Sequence, residues 1–177
     1  MLTTAIITKD VAQRHKIRKV TFYLPRYNNK LKLMMKAPKK VYVVDNGFVS
    51  GVGFNLSENF GRLLENDVFL ELRRRGYDEE KSIFYYRSRN DKEVDFVTRR
   101  GPQVGQLIQV CYDISSERTL KRELSALVEC AEELHCDNLL LVTFDTEDVI
   151  KHKGYVIQVM PFNKWQGAIP KELSVKA

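Results

Sequence analysis

The chain has 177 residues, 44% of them hydrophobic and 29% charged, with a formal net charge of +6. That length suits one sizeable core, since single domains commonly run to about 100–200 residues, and the balance of apolar and charged residues excludes a disordered chain. No stretch approaches the run of about 18 apolar residues that a membrane span needs. Met1-Leu2-Thr3-Thr4 lacks the basic-then-apolar start of a secretion signal, so a soluble, cytoplasmic protein with no membrane partner is expected. Cys111, Cys130 and Cys136 are odd in number and form no CxxC, which fits a reducing compartment. The alternative, a zinc site, has only the adjacent His135 and Cys136 to suggest it.

The first elements are short. Ala5-Ile6-Ile7-Thr8 reads as a strand, and Asp10 is placed to cap a short helix after it. Val20 to Leu24 and Lys30 to Met34 read as two strands around a turn at Pro25 and Asn28-Asn29. Pro38 then punctuates the chain, and Val41-Tyr42-Val43-Val44 reads as a buried strand closed by Asp45-Asn46-Gly47. From Leu56 the period changes: Phe60, Leu64, Val68 and Leu72 recur every fourth residue, Ser57 can cap the start, and Gly76 follows the last turn.

Three strands are expected next: Ile83 to Tyr86, Glu93 to Val97 and, past Gly101-Pro102, Gln106 to Tyr112. Their connections are too short for crossovers, which predicts an antiparallel meander. Leu120, Leu124, Leu127, Ala131 and Leu134 mark a second long helix. Leu139 to Thr143 and Tyr155 to Val159 are the last two strands expected, with Asp145 to Gly154 as a loop between them. The fold class is therefore α/β: a mixed sheet flanked by two long helices, with an N-terminal β/α extension over 1–35, a core over 36–166 and a tail over 167–177.

Two acidic residues break the burial pattern. Glu65 lies three, four and seven residues before Val68, Phe69 and Leu72, at the edge of the apolar stripe of its helix. A buried charge is costly unless it is paired or binds a metal. Asp95 sits inside a strand, where Asp is disfavoured, and simple alternation puts it on one face with Glu93 and Val97 and opposite Val94 and Phe96. On the next strand Leu107, Gln109 and Cys111 share a face, with Gln109 the polar exception. For Glu65 the bland readings are a rim position or a salt bridge to one of the many arginines.

An acid on a helix, an Asp on a second strand and a polar pair on a third resemble the PD-(D/E)XK nuclease superfamily, whose core is helix, three-stranded meander, helix, strand. A longer ordered series resembles the C-terminal domain of archaeal-type AAA+ ATPases: Lys36 to Phe48, Leu64 to Leu72, Glu93 to Val97 and Leu107 to Tyr112. Together these imply a restriction-endonuclease-like fold with Glu65, Asp95 and Gln109 as catalytic acids or their equivalents. They further imply Mg²⁺ or Mn²⁺ held by Glu65, Asp95 and the Val110 carbonyl, with the metal activating water beside a phosphate.

The departures are as informative. No Gly-x-x-x-x-Gly-Lys-Ser/Thr occurs, so the chain is not itself an ATPase, and a fragment, a truncated gene or a stand-alone relative is expected. The lysine of the third-strand element is Cys111 and its acid is Gln109; Lys121, beside the apolar stripe of the second helix, is the substitute the sequence offers. Basic clusters at Lys39-Lys40, Arg73-Arg74-Arg75, Arg99-Arg100 and Lys121-Arg122 are either solvated surface or contacts to duplex DNA around a cleft. Two functions stand side by side: a metal-dependent DNA endonuclease with a degenerate site, and a non-catalytic module that binds DNA or assembles with an AAA+ ATPase. A Cys111 nucleophile is a third reading, weakened because the sequence places no histidine near it.

Overall fold

A computed structural model describes residues 20–47 and 60–168. The expected strand at Ala5–Thr8, the Asp10 cap, and the Leu56 and Ser57 helix start lie outside the described residues. In chain order the elements are β1 (Thr21–Leu24), α1 (Leu31–Lys36), β2 (Lys40–Val43), α2 (Phe60–Arg74), β3 (Ile83–Arg87), β4 (Glu93–Arg100), β5 (Gln103–Val110), α3 (Glu117–Leu134), β6 (Leu139–Thr143), β7 (Asp148–His152), β8 (Tyr155–Pro161) and α4 (Phe162–Gly167).

The described strands form a six-stranded mixed sheet in the order β3-β4-β5-β6-β8-β7 and a separate antiparallel pair, β1-β2. β3, β4 and β5 are the expected meander. The α3 crossover makes β6 parallel to β5. Helices cover both faces. Leu124, Leu127, Val128 and Ala131 of α3 pack on Val94, Val97, Leu107, Leu139 and Leu141. Val68, Phe69 and Leu72 of α2, joined by Phe22, Leu24 and Tyr42 of the β1-β2 pair, pack on Phe96, Ile108, Leu140 and Val142. β1 pairs with β2 across the expected boundary at residue 36, and backbone bonds from Tyr27 N to Tyr85 O and from Tyr85 N to Pro25 O cover the β3 edge.

Three expectations change. The alternating Lys30–Met34 stretch is not a strand: α1 covers Leu31–Lys36. Leu, Lys and Met favour helix, the Asn28 side chain accepts from Lys30 N to start the turn, and Pro38 stops it. The Val41–Val44 stretch forms a strand that is buried only at Tyr42, because two-stranded pairing leaves its other face to solvent. The loop expected at Asp145–Gly154 contains β7, an edge strand. Its return into β8 uses Lys153 and Gly154, both at positive φ, between the partners His152 and Tyr155, as a two-residue hairpin turn requires.

Both long helices end in a left-handed residue. After α2, Gly76 has φ +88, with Gly76 N bonded to Arg73 O and Tyr77 N to Leu72 O, a Schellman closure. After α3, His135 takes the same role at φ 51, ψ 52, and Cys136 N reaches Ala131 O. Among the described residues no group of three or more His, Cys, Asp or Glu side chains is set as metal ligands in the present arrangement. His135 is a helix terminator and Cys136 is buried.

A Cβ at Gly76 meets nothing within 4 Å, so Gly76→Ala is expected to cost only the backbone strain of about 1–2 kcal/mol. His135→Gly is expected to stabilise by up to about 1 kcal/mol, because glycine takes the left-handed region without the Cβ penalty of about 1–2 kcal/mol, offset by its greater unfolded-chain entropy. Urea unfolding of the two variants should move the midpoints in opposite directions.

Candidate functional site

The site lies where β2, α2 and the start of β4 meet. Asn66 of α2 fixes the approach of β2: its side-chain oxygen accepts from Val43 N at 2.8 Å and its amide donates to Val43 O at 3.1 Å. Tyr42 stacks on Phe69 at 4.3 Å between centroids. These two contacts seat β2 so that Lys40 and Tyr42 face Glu65, one helical position from Asn66.

Asp95 arrives by a β-bulge. Phe84 pairs with Val97 but Tyr86 pairs with Val94, so Asp95 and Phe96 together oppose Tyr85. The simple alternation expected for β4 fails here. Val94 and Val97 both join the α3-side core, while Phe96 faces α2. The extra residue aims the Asp95 carboxylate toward Glu65, a re-aiming for which bulges are used.

The two acids meet across one cation, the Lys40 ammonium. Its Nζ lies 2.7 Å from Asp95 Oδ1, 2.9 Å from Glu93 Oε1 and 3.0 Å from Glu65 Oε1. Tyr42 Oη donates to the same Glu65 oxygen at 2.6 Å, and Val110 N donates to Asp95 Oδ2 at 2.9 Å. Burial alone would depress the Lys40 ammonium, but Asp95 and Glu65 outweigh it and hold it well above the ordinary lysine range. Burial pushes Asp95 up to about 7, and Glu65 adds to the rise, against the pull of Lys40 and the Val110 N–H. Burial and the Glu65 charge also raise Tyr42.

Gln109 takes a different position. Its amide donates to Glu123 Oε2 at 2.8 Å, on the α3 side, and its oxygen accepts from Asp95 N at 3.3 Å. Glu123 is gripped in turn by Arg122, at 2.5 and 2.9 Å. A glutamate at 109 would face the buried Glu123 charge, so the glutamine is the form this neighbour tolerates. Cys111 also feels Glu123: burial first, then that charge, pushes its thiol up to about 11, which removes the thiolate a nucleophile needs. Lys121 lies outside the cluster, with Nζ 2.6 Å from Glu117 on the exposed face of α3.

A divalent ion is what the resemblance implies here, and the donor set does not fit one in this arrangement. Asp95 gives one oxygen to Lys40 and the other to Val110 N. The Gln109 oxygen serves Asp95 N, and the Lys40 Nζ holds the point between the carboxylates.

The basic clusters are largely engaged within the chain. Lys39 pairs with Glu80 at 3.2 Å. Arg73 pairs with Glu79 and lies 5.0 Å from the centre of the Phe22 ring. Arg74 and Arg75 hold the buried Glu71 at 2.6 and 2.7 Å, and Arg75 also covers Trp165. Arg99 donates to Gly101 O and covers Tyr27 and Phe84, while Arg100 is exposed at the end of β4. The parts that sequence reasoning missed are Tyr42, Asn66, Glu93, Glu123 and the role of Lys40, which was expected at a DNA contact or on solvated surface and instead bridges the carboxylates. Only Glu93, two residues before Asp95, left a sequence signal.

Comparison with known proteins places the chain in a family. It belongs to the family described as a domain of unknown function (DUF4143), matched over residues 60–165. It is 37% identical over 150 residues to the uncharacterized protein MJ1544 of Methanocaldococcus jannaschii, covering 81% of this chain and 32% of that protein. An uncharacterized protein of Haemophilus influenzae is 32% identical over 89 residues, covering 50% of this chain and 21% of that one. This chain thus spans about a third or less of the length of these relatives. Among solved structures, an assembly of Thermococcus gammatolerans McrB AAA+ hexamers with bound McrC matches 63% of this chain and 30% of its own, at 17% identity and a TM-score of 0.34. A likeness that slight establishes neither fold nor partner.

The pH dependence of the site has a definite sign. Asp95 is raised in the folded state, so folding favours its protonated form. Its contribution is full below the unfolded value of about 4 and is lost as pH rises through about 7, with a slope of at most about 1.4 kcal/mol per pH unit. Chemical unfolding of wild type and Asp95→Asn at pH 4.5, 6 and 7.5 should show the stability gap between them changing across this window. A constant gap would contradict the raised Asp95.

Proposed function

We propose that this chain is a non-catalytic, nuclease-like module whose work is to dock with an ATPase module. The observation that carries the reading is the Lys40 ammonium seated among Glu65, Glu93 and Asp95, where a nuclease needs open metal positions and a bound water. The absence of a lysine at Cys111 and of an acid at Gln109 supports it. So do the internal partners of Lys39, Arg73, Arg74, Arg75, Lys121 and Arg122, which leave fewer unpaired cations for a DNA backbone.

The ATPase half of the reading rests on the resemblance of four ordered segments to the C-terminal domain of AAA+ ATPases. The length of the relatives outside the match accommodates further modules. An apolar surface is on hand for docking. Tyr23 and Val41 are Cα partners on the outer side of the β1-β2 pair, and both are about half exposed, at 51% and 52%. Leu31, Leu33 and Met35 stand out from α1, which buries no residue. Contiguous exposed apolar patches mark protein contact sites.

Two measurements test the reading. Supercoiled plasmid incubated with the purified chain and Mn²⁺ or Mg²⁺ should stay intact, and duplex DNA should not shift at low salt. Nicking that disappears in Asp95→Asn would contradict the non-catalytic assignment. Photo-crosslinking residues placed at Val41 and Met35 in the native cell should capture a protein whose peptides include a Gly-x-x-x-x-Gly-Lys-Ser/Thr motif. Capture no greater than from a probe at exposed Lys151, or of proteins without that motif, would contradict the docking role.

A further inference from the structure

We infer that the Lys40 ammonium takes the structural place of a divalent cation, so that the chain carries the counter-ion of its acidic cluster on one of its own side chains. The inference rests on the non-catalytic reading above and goes one step beyond it. That reading says the centre is closed; this one says what closes it and what its removal would open.

Three observations carry it. First, the three carboxylates come from two elements that share no backbone pairing: Glu65 from α2, and Glu93 and Asp95 from β4. They converge on one positive point at 2.7–3.0 Å. That is the arrangement of ligands around a cation, with nitrogen at the centre. Second, the cation comes from β2, a third element, and is delivered by built contacts: the Asn66 clamp on Val43 and the Tyr42–Phe69 stack. These contacts set the Lys40 backbone beside the carboxylates. Third, the charges do not balance. One ammonium faces three carboxylates, as expected where a monovalent group stands in for a larger charge.

The carboxylates stand at ammonium hydrogen-bond distances and would have to move inward for any divalent ion, less for a larger one. Mg²⁺ demands oxygens at about 2.0–2.1 Å in near-ideal octahedral geometry, whereas Ca²⁺ accepts about 2.3–2.6 Å in a flexible shell. Carboxylates set at 2.7–3.0 Å from the Lys40 nitrogen need move inward by only a few tenths of an ångström to hold Ca²⁺, and by roughly twice as much or more for Mg²⁺. Glu93, the most exposed of the three at 38%, forms the open rim through which water would complete the shell.

The experiment removes the lysine and offers the metal alone. Lys40→Met and Lys40→Ala are prepared with wild type and the double variant Lys40→Met/Asp95→Asn, and thermal unfolding is followed with EDTA, Ca²⁺ or Mg²⁺. Wild type is expected to show no metal-dependent shift. Lys40→Met is expected to rise in Tm by about 5–10 °C at Ca²⁺ about 100-fold above its Kd, less with Mg²⁺, and not at all in the double variant. If the single variants do not fold in EDTA, refolding in Ca²⁺ is the readout, and recovery that requires Asp95 supports the inference. Folded single variants with no Ca²⁺ response, or unfolded ones that Ca²⁺ does not recover, overturn it. Plasmid nicking by wild type that depends on Asp95 strikes instead at the non-catalytic reading, so the two failures are distinguishable.

Discussion

The contact on which the rest depends is the Lys40 ammonium held between α2 and β4. Asp95 is buried and Glu65 partly so, and two carboxylates drawn out of water side by side need a counter-charge. Lys40 supplies it, and in doing so fixes the β1-β2 pair to the six-stranded sheet with which it shares no strand ladder. Phe22, Leu24 and Tyr42 then complete the apolar face on α2. Leaving one side of such a cluster unpaired typically costs about 3–5 kcal/mol, so the ion pairs and the apolar packing here stand or fall together.

The rest of the polar architecture follows the same pattern of internal pairing. Glu71, buried on α2, is gripped by Arg74 and Arg75; burial would raise it, but their hydrogen bonds hold its carboxyl below the usual range. Glu123, buried on α3, is held by Arg122 and Gln109. The Tyr86 hydroxyl donates to Glu133 at 2.6 Å. A formal charge of +6 suggests a surface free to meet polyanions, yet many of its cations are engaged one by one inside the fold. Net charge governs solubility and encounter; it does not say which cations are available.

Much of the scaffold was legible. The apolar stripes of α2 and α3, the meander, and Gly76 as a terminator all follow from spacing that only packing can explain. Asp95 and Glu65 were legible as exceptions, because a carboxylate in an apolar setting demands a partner. Their partner was not. Lys40 lies beside Pro38 in a run of lysines that reads as solvated, and nothing local distinguishes it from Lys39, which is paired with Glu80 at the surface. The bulge at Asp95 was equally hidden, since one inserted residue leaves the composition of β4 unchanged while reversing the face of every residue after it. α1 was misread because alternation of Lys and Leu over five residues satisfies a strand pattern, and only Asn28 and Pro38 decide for a turn of helix.

In the unmutated chain the Lys40 ammonium bridges the Glu65 and Asp95 carboxylates. Crystals of that chain grown or soaked in MnCl₂, with diffraction recorded on both sides of the manganese absorption edge, test it directly. The expected map shows the Lys40 Nζ within about 3 Å of Asp95, Glu93 and Glu65, as charge-assisted hydrogen bonds require, and no anomalous peak between them. A manganese peak bonded to Asp95 and Glu65, with the Lys40 side chain swung away, would contradict the account.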